Sequence, residues 1–217
     1  MKTNERQKDK TIGNKISKEN LSILISRFRH PKLEERFKAS EEVVKIGYEA
    51  APELMKLLVD NNWEVRWRAA YVFGKIGLIT DKDINSIGKL VEDPNQNVRV
   101  WALKALKLNK RKSILKYLIK ATEDSDSEVR KEAIEGLSFF EDKTAIKKII
   151  KFLSDEECDV KVSSAWALGV NGNRESYEIL RYKLMCEKDK QVVMIIRNSL
   201  SKLRIKLNLP EEIVGCA

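Results

Sequence analysis

One histidine, three cysteines, four prolines and nine glycines are all that 217 residues contain of the groups that most often bind metals, cross-link or turn a chain sharply. A lone histidine, His30, excludes a His-rich metal site. Cys158, Cys186 and Cys216 are odd in number and form no CxxC pair, which argues against a zinc site and against a disulfide framework. No apolar run approaches the roughly 18 residues of a membrane span. The opening stretch, MKTNERQKDKTIGNK, is basic with no apolar segment behind it, unlike a secretory signal, so a reducing cytoplasm is the expected location. No GxxxxGK[ST], GxGxxG or HExxH occurs, so no phosphate-cradling loop and no metalloprotease pair is present to argue from. No catalytic residue, cofactor or metal is expected.

What is abundant is charge and helix-forming side chains. Lys and Arg number 42 against 33 Asp and Glu, for a net +9, and 35% of residues are charged. The hydrophobic share of 42% is enough for a real core, and the scarcity of glycine and proline suggests a mostly helical chain.

One phrase recurs along the sequence. It reads DNNWEVRWRAAYVFG from Asp60, DPNQNVRVWALKALK from Asp93, DSDSEVRKEAIEGLS from Asp124 and DEECDVKVSSAWALG from Asp155. An earlier copy starts at His30 and a worn one at Glu187. Anchored on Arg36, Arg66, Arg99, Arg130, Lys161 and Val193, the copies are 30, 33, 31, 31 and 32 residues apart. Apolar residues recur one before, three after and seven after the anchor, which marks one face of a helix (helix B). The residue at +3 is small in five copies (Ala39, Ala69, Ala102, Ala133, Ser164) and lets a partner helix come close. Twelve positions before the anchor, Leu24, Leu54, Ile87, Leu118 and Ile149 belong to a second helix (helix A), with Arg181 breaking the series. Asp at −6 occupies the turn in four copies, and Asn62, Asn95, Asp126 and Asp189 at −4 are placed to cap helix B. His30 stands where Asp stands elsewhere, so it reads as a turn residue. Cys158 reads as an ordinary cysteine near a helix start.

The phrase D-x-x-x-x-V-R-x-x-A-A-x-A-L-G, matched best by Asp60–Gly74 and Asp155–Gly169, resembles the HEAT-like repeats of phycobilisome lyase subunits over about residues 19–209. The resemblance implies an all-α, right-handed α-solenoid of about six helix pairs (19–47, 48–79, 80–110, 111–141, 142–172 and 173–209). It implies B helices on the concave side, and Asp and Arg of the phrase linking neighbouring repeats. Residues 1–18 are expected as a basic flexible tail and 210–217 as a short C-terminal tail. HEAT-type hydroxylases, which need four iron-ligating histidines, are excluded by the single His30.

The copies can be compared with one another. Positions that stay apolar should pack, and positions that change character should face solvent. Position +1 (Phe37, Trp67, Val100, Lys131, Val162, Met194) is mostly apolar and is assigned to contact between B helices, with Trp67 in the core. Positions +2 (Lys38, Arg68, Trp101, Glu132, Ser163, Ile195) and +5 (Glu41, Tyr71, Lys104, Glu135, Trp166, Asn198) are mixed and are assigned to the concave groove. The candidate binding residues are Lys38, Arg68, Tyr71, Trp101, Lys104 and Trp166. Trp63, Trp67 and Tyr71 add an i, i+4, i+8 stripe on one helix. The first reading is a non-catalytic scaffold whose groove docks a protein or peptide partner. Nucleic acid is the second class of partner, by distant similarity to HEAT-like alkylated-DNA glycosylases, with Glu41 the only groove acid near the aromatics. Against it, the excess charge lies at the chain's two ends: residues 1–47 carry 12 basic and 7 acidic groups, and residues 48–172 carry 21 and 20. A chromophore-lyase subunit, which would need a second subunit, is the third reading.

Overall fold

The computed structural model describes residues 18–77 and 80–210; nearly all of the expected N-terminal tail, and residues 211–217, lie outside the described residues. Six helix pairs follow one another. They are α1 (Lys18–Ser26) with α2 (Leu33–Ile46), α3 (Ala51–Leu57) with α4 (Trp63–Ile76), and α5 (Asp81–Lys89) with α6 (Gln96–Lys107). Then come α7 (Leu115–Ala121) with α8 (Ser127–Leu137), α9 (Lys143–Lys151) with α10 (Cys158–Asn171), and α11 (Arg174–Cys186) with α12 (Lys190–Lys206). No strand occurs among the described residues, and none of their helices is long and apolar enough to cross a membrane. The molecule is an all-α solenoid.

Each turn is built by the residues that the repeat places there. Asn62 and Asn95 accept the N–H groups of Glu64 and Asn97, each at 2.9 Å. Asp126 accepts that of Val129 at 3.1 Å, and Asp189 those of Gln191 and Val192 at 2.8 and 3.1 Å. These bonds satisfy backbone donors that the first turn of a helix leaves open. The acid at −6 folds back one step earlier: Asp60, Asp93, Asp124 and Asp155 each accept the N–H two residues on at 2.9 Å. His30 does the same with its Nδ1, which accepts from the Lys32 N–H at 3.2 Å. The anchor arginine closes the turn by donating to the carbonyls six and five residues before it. Arg66 reaches Asp60 and Asn61 at 2.7 and 3.1 Å, and Arg99 reaches Asp93 and Pro94 at 2.9 and 3.3 Å.

The same arginines join repeats. Arg66 pairs with Asp93 (2.6 and 2.8 Å), Arg99 with Asp124 (2.8 Å) and Arg130 with Asp155 (3.0 and 2.9 Å). The ladder stops at both ends. Asp60 is taken by Arg29, so Arg36 turns to Glu64 at 3.2 Å, and the sixth anchor is Val193.

Ala39, Ala69, Ala102, Ala133, Ser164 and Ile196 at +3 are all buried, as are Val65, Val98, Val129, Val160 and Val192 at −1. Backbones come closest in the B layer. A Cβ on Gly74 would lie 3.4 Å from the Ala105 Cα, and one on Gly169 would lie 2.8 Å from that of Ser199. In the A layer the Tyr117 ring sits between α5 and α7, over Gly88. Close spacing on one side and bulk on the other make the B helices the inner layer of the stack.

Candidate binding face on the inner helices

Four aromatic rings from three successive B helices meet in one cluster. Phe37 of α2 lies 5.9 Å from Tyr71 of α4, centroid to centroid. Tyr71 meets Trp67 edge-on at 6.2 Å and Trp101 of α6 edge-on at 4.8 Å, and Trp67 stacks on Trp101 at 6.0 Å with 26° between planes. Edge-to-face and offset contacts of this kind suit the ring quadrupoles and stiffen the cluster.

Cations of the same chain cover three of the rings. The Arg68 guanidinium lies 4.7 Å from the Trp67 centroid, the Lys75 ammonium 5.5 Å from Tyr71, and the Lys104 ammonium 5.0 Å from Trp101. One carboxylate enters the cluster: the Tyr71 hydroxyl donates to Glu41. Burial, and then that bond, push the Tyr71 pKa up to about 12, so the phenol stays protonated at neutral pH.

Beyond Trp101 the face changes sign. Glu132 is buried and holds Lys104 at 3.3 Å and also Lys107, which donates to Glu135 at 2.9 Å. Burial pulls the Lys107 pKa down most, but the two carboxylates outweigh it and hold the ammonium charged. The basic half of the face therefore ends in a neutralised network at the fourth repeat.

Of the residues picked out by sequence, the structure brings Arg68, Tyr71, Trp101 and Lys104 together. Lys38 is exposed but tied to Glu34 (2.7 Å) and Glu35 (3.4 Å), and Trp166 stands apart on α10, 37% exposed. Two assignments need correction. Position +2 is not solvent-facing: Arg68 is 1% exposed, and Glu132 and Ser163 are buried. It lies in the seam between consecutive B helices, and its chemistry varies because each copy finds its own partner, on its own helix or on the neighbouring one. Arg68 finds Glu64, with its Nη1 2.7 Å from the carbonyl and 3.2 Å from the carboxylate, and Glu132 finds two lysines. Lys38 is open because, among the described residues, no B helix packs on α2 from that side. Tyr71, at +5, is only 6% exposed, sealed by the neighbouring rings. Position +1 makes the expected contact between B helices, with Phe37 meeting Tyr71, Trp67 stacking on Trp101 and Val100 buried, but Phe37 is 48% exposed and Trp67 is half-buried in the cluster instead of in the core. The readable signal for these two was their alignment with Tyr71 and Glu41 along one helix side.

The family model for HEAT repeats matches residues 84–157, and a single HEAT repeat model matches residues 51–79. No curated protein sequence matches the chain significantly. Among solved structures, the Escherichia coli protein YibA is similar with a TM-score of 0.68 at 19% identity, over 85% of this chain and 72% of that one. The complex of CpcE and CpcF of phycocyanin lyase from Nostoc sp. PCC7120 aligns with a TM-score of 0.58 at 20% identity, over 68% of this chain and 96% of that one. A designed armadillo repeat protein in complex with the peptide (KR)4 aligns with a TM-score of 0.56 at 21% identity, over 84% of this chain and 99% of that one. At these identities the likeness speaks for the fold. Two separate stretches matched by HEAT models, the repeating phrase and the stacked helix pairs agree: this chain is built of HEAT-like repeats.

Proposed function

We propose that this protein is a non-catalytic scaffold that docks a segment of a protein partner on its inner B-helix face. The site is the cluster of Phe37, Trp67, Tyr71 and Trp101, with Arg68 beneath and Lys75 and Lys104 at its rim; Lys38 and Trp166 extend the same face. The observation that carries this reading is the cluster itself. A stack of small and aliphatic residues would hold repeats one to three together, yet three helices contribute large rings there, one of them 48% exposed. Partly exposed aromatics in a rigid setting are what binding hot spots are made of. The designed armadillo protein was solved with a basic peptide; here the chain's own cations already cover three ring faces, so an acidic or aliphatic segment fits better.

Affinity purification from the native cell, with and without nuclease, tests the reading using wild type, Phe37→Ala with Trp101→Ala, and Trp166→Ala. A partner that survives nuclease and is lost with the Phe37 and Trp101 changes is the expected result. Partners unchanged by both substitutions would sink the siting. Nucleic acid remains the second reading because Glu41 supplies a carboxylate within the aromatic cluster. The break in positive charge at Glu132 and Glu135 weighs against a phosphate track. Affinity for duplex and single-stranded DNA across a salt series decides it: a steep salt dependence would favour DNA over the protein partner. A chromophore-lyase role rests on likeness of repeats to CpcE and CpcF, and absorbance after mixing with a bilin tests it.

A further inference from the structure

The two ends of the stack differ in a way that the repeat does not require. A terminal repeat needs polar side chains where interior repeats have a neighbour, and groups of either sign serve. At the N-terminal end the cations are answered locally. Arg27 pairs with Glu35 and Glu42 at 2.6 and 3.8 Å, and Lys38 with Glu34 and Glu35.

At the C-terminal end the last helix is of one sign, although α11 and the turn before α12 carry acids, and Lys183 and Lys206 pair with Glu187 and Glu141. Helix α12 carries Lys190, Arg197, Lys202, Arg204 and Lys206, and no carboxylate. Four positions after the anchor, the first five repeats bury Ser40, Ala70, Leu103, Ile134 and Ala165; the sixth exposes Arg197. Lys190 and Arg197 are seven residues apart, about 10.5 Å along one side of the helix. With Lys188, Val193, Met194 and Asn198 they line an open hollow of about 340 Å³. Among the described residues no carboxylate lies within ion-pair distance of Lys188, Lys190 or Arg197. Met194 is 54% exposed beside them, and Ile205 is exposed further along the helix.

We propose that this end face docks an acidic amphipathic helix of a partner protein, laid along α12 where the B helix of a seventh repeat would lie. Solubility alone would be met by mixed charges, as at the other end. A facing helix with carboxylates at heptad spacing would answer Lys190 and Arg197 together, and its apolar residues would cover Val193 and Met194 between them. Exposed apolar side chains set among the cations favour such a helix over a phosphate backbone, which offers them nothing. The end face shares no residue with the aromatic face, so the two stand or fall separately.

Fluorescence anisotropy on the full chain tests this, with a labelled amphipathic Glu/Leu helix about three heptads long as probe. The probe is expected to bind, to weaken with added salt, and to lose about tenfold or more in affinity with Lys190→Glu plus Arg197→Glu. A loss on Met194→Ser and none on Trp101→Ala complete the expected pattern. An unchanged affinity in the double charge reversal overturns the proposal, as does a loss on Trp101→Ala equal to that of the charge reversal. Indifference to Met194→Ser, or displacement of the probe by an equal concentration of duplex DNA, overturns it too, since either marks a plain polyanion surface.

Discussion

Arg130 holds Asp155, twenty-five residues further along the chain, by two hydrogen bonds: Nε at 3.0 Å and Nη2 at 2.9 Å, one to each carboxylate oxygen. Both side chains are buried, and Nη1 of the same guanidinium donates to the carbonyls of Asp124 and Ser125 at 3.0 and 2.9 Å. One planar group thus fixes its own turn and the next. Removing it as Arg130→Met leaves a buried carboxylate without its cation and two carbonyls without their donor, and is expected to cost about 3 kcal/mol in urea denaturation. Arg130→Met with Asp155→Leu should cost less than Arg130→Met alone, because no orphaned charge remains. A single-mutant loss below about 0.5 kcal/mol would show that the ladder is ornamental.

Acid should release this rung. Burial pushes the Asp155 carboxyl up most, but the bond from Arg130 and the one from the Glu157 N–H outweigh it, so its pKa lies below the ordinary 3.8. A carboxyl held low in the folded state stabilises wherever both states are ionised, and that contribution is lost as pH falls through the folded value. The urea midpoint is therefore expected to be flat from neutral pH to about pH 5 and to fall below about pH 4. Asp155→Asn should fall less steeply there, and a slope identical to wild type would contradict the assignment.

Tyr71 can be watched directly. Of five tyrosines two are raised: Tyr48 by its bond to Asp83, and Tyr71, by burial and by its bond to Glu41, to about 12. An ultraviolet titration should show a phenol still protonated after an ordinary tyrosine has ionised, and Tyr71→Phe should delete that last step. The same substitution is expected to cost about 1 kcal/mol, since Glu41 is half-exposed and can be rehydrated. Loss of an ordinary step in Tyr71→Phe, with the latest step kept, would mean that the ring is open to solvent.

Two glycines at the same repeat position should behave differently. A Cβ at Gly169 would lie 2.7 and 2.8 Å from the Cβ and Cα of Ser199, inside contact distance of backbone that cannot yield cheaply. Gly169→Ala is expected to lower stability by about 1–3 kcal/mol and to loosen the seam between repeats five and six. At Gly74 the added Cβ would meet Ala105 at 3.4 Å, an ordinary contact, and alanine is about 1 kcal/mol the better helix former. Gly74→Ala is therefore expected to be neutral or slightly stabilising. Equal effects at the two sites in thermal melts would remove steric crowding as the cause.

The repeat phrase by itself determined the helix pairs, the caps and the small residues at +3, because each is a local matter of backbone donors, helix periodicity and side-chain size. Asn62, Asn95, Asp126 and Asp189 cap as their position dictates, and His30 takes the turn role of the missing Asp. What variation among copies could not say was why a position varies. Arg68 and Glu132 look like solvent-facing charge in sequence, yet each sits buried against a partner supplied by its own helix or the neighbouring one. Phe37 and Trp67 look like packing residues and do meet the next B helix, yet Phe37 stays exposed and Trp67 is only half-buried. On a helix, +1 and +2 are only about 100° apart, so composition cannot tell a seam from a groove. That choice was made by how one B helix packs on the next. Only the tertiary structure decided it, and with it gathered Phe37, Trp67, Tyr71 and Trp101 into one face while leaving Trp166 alone.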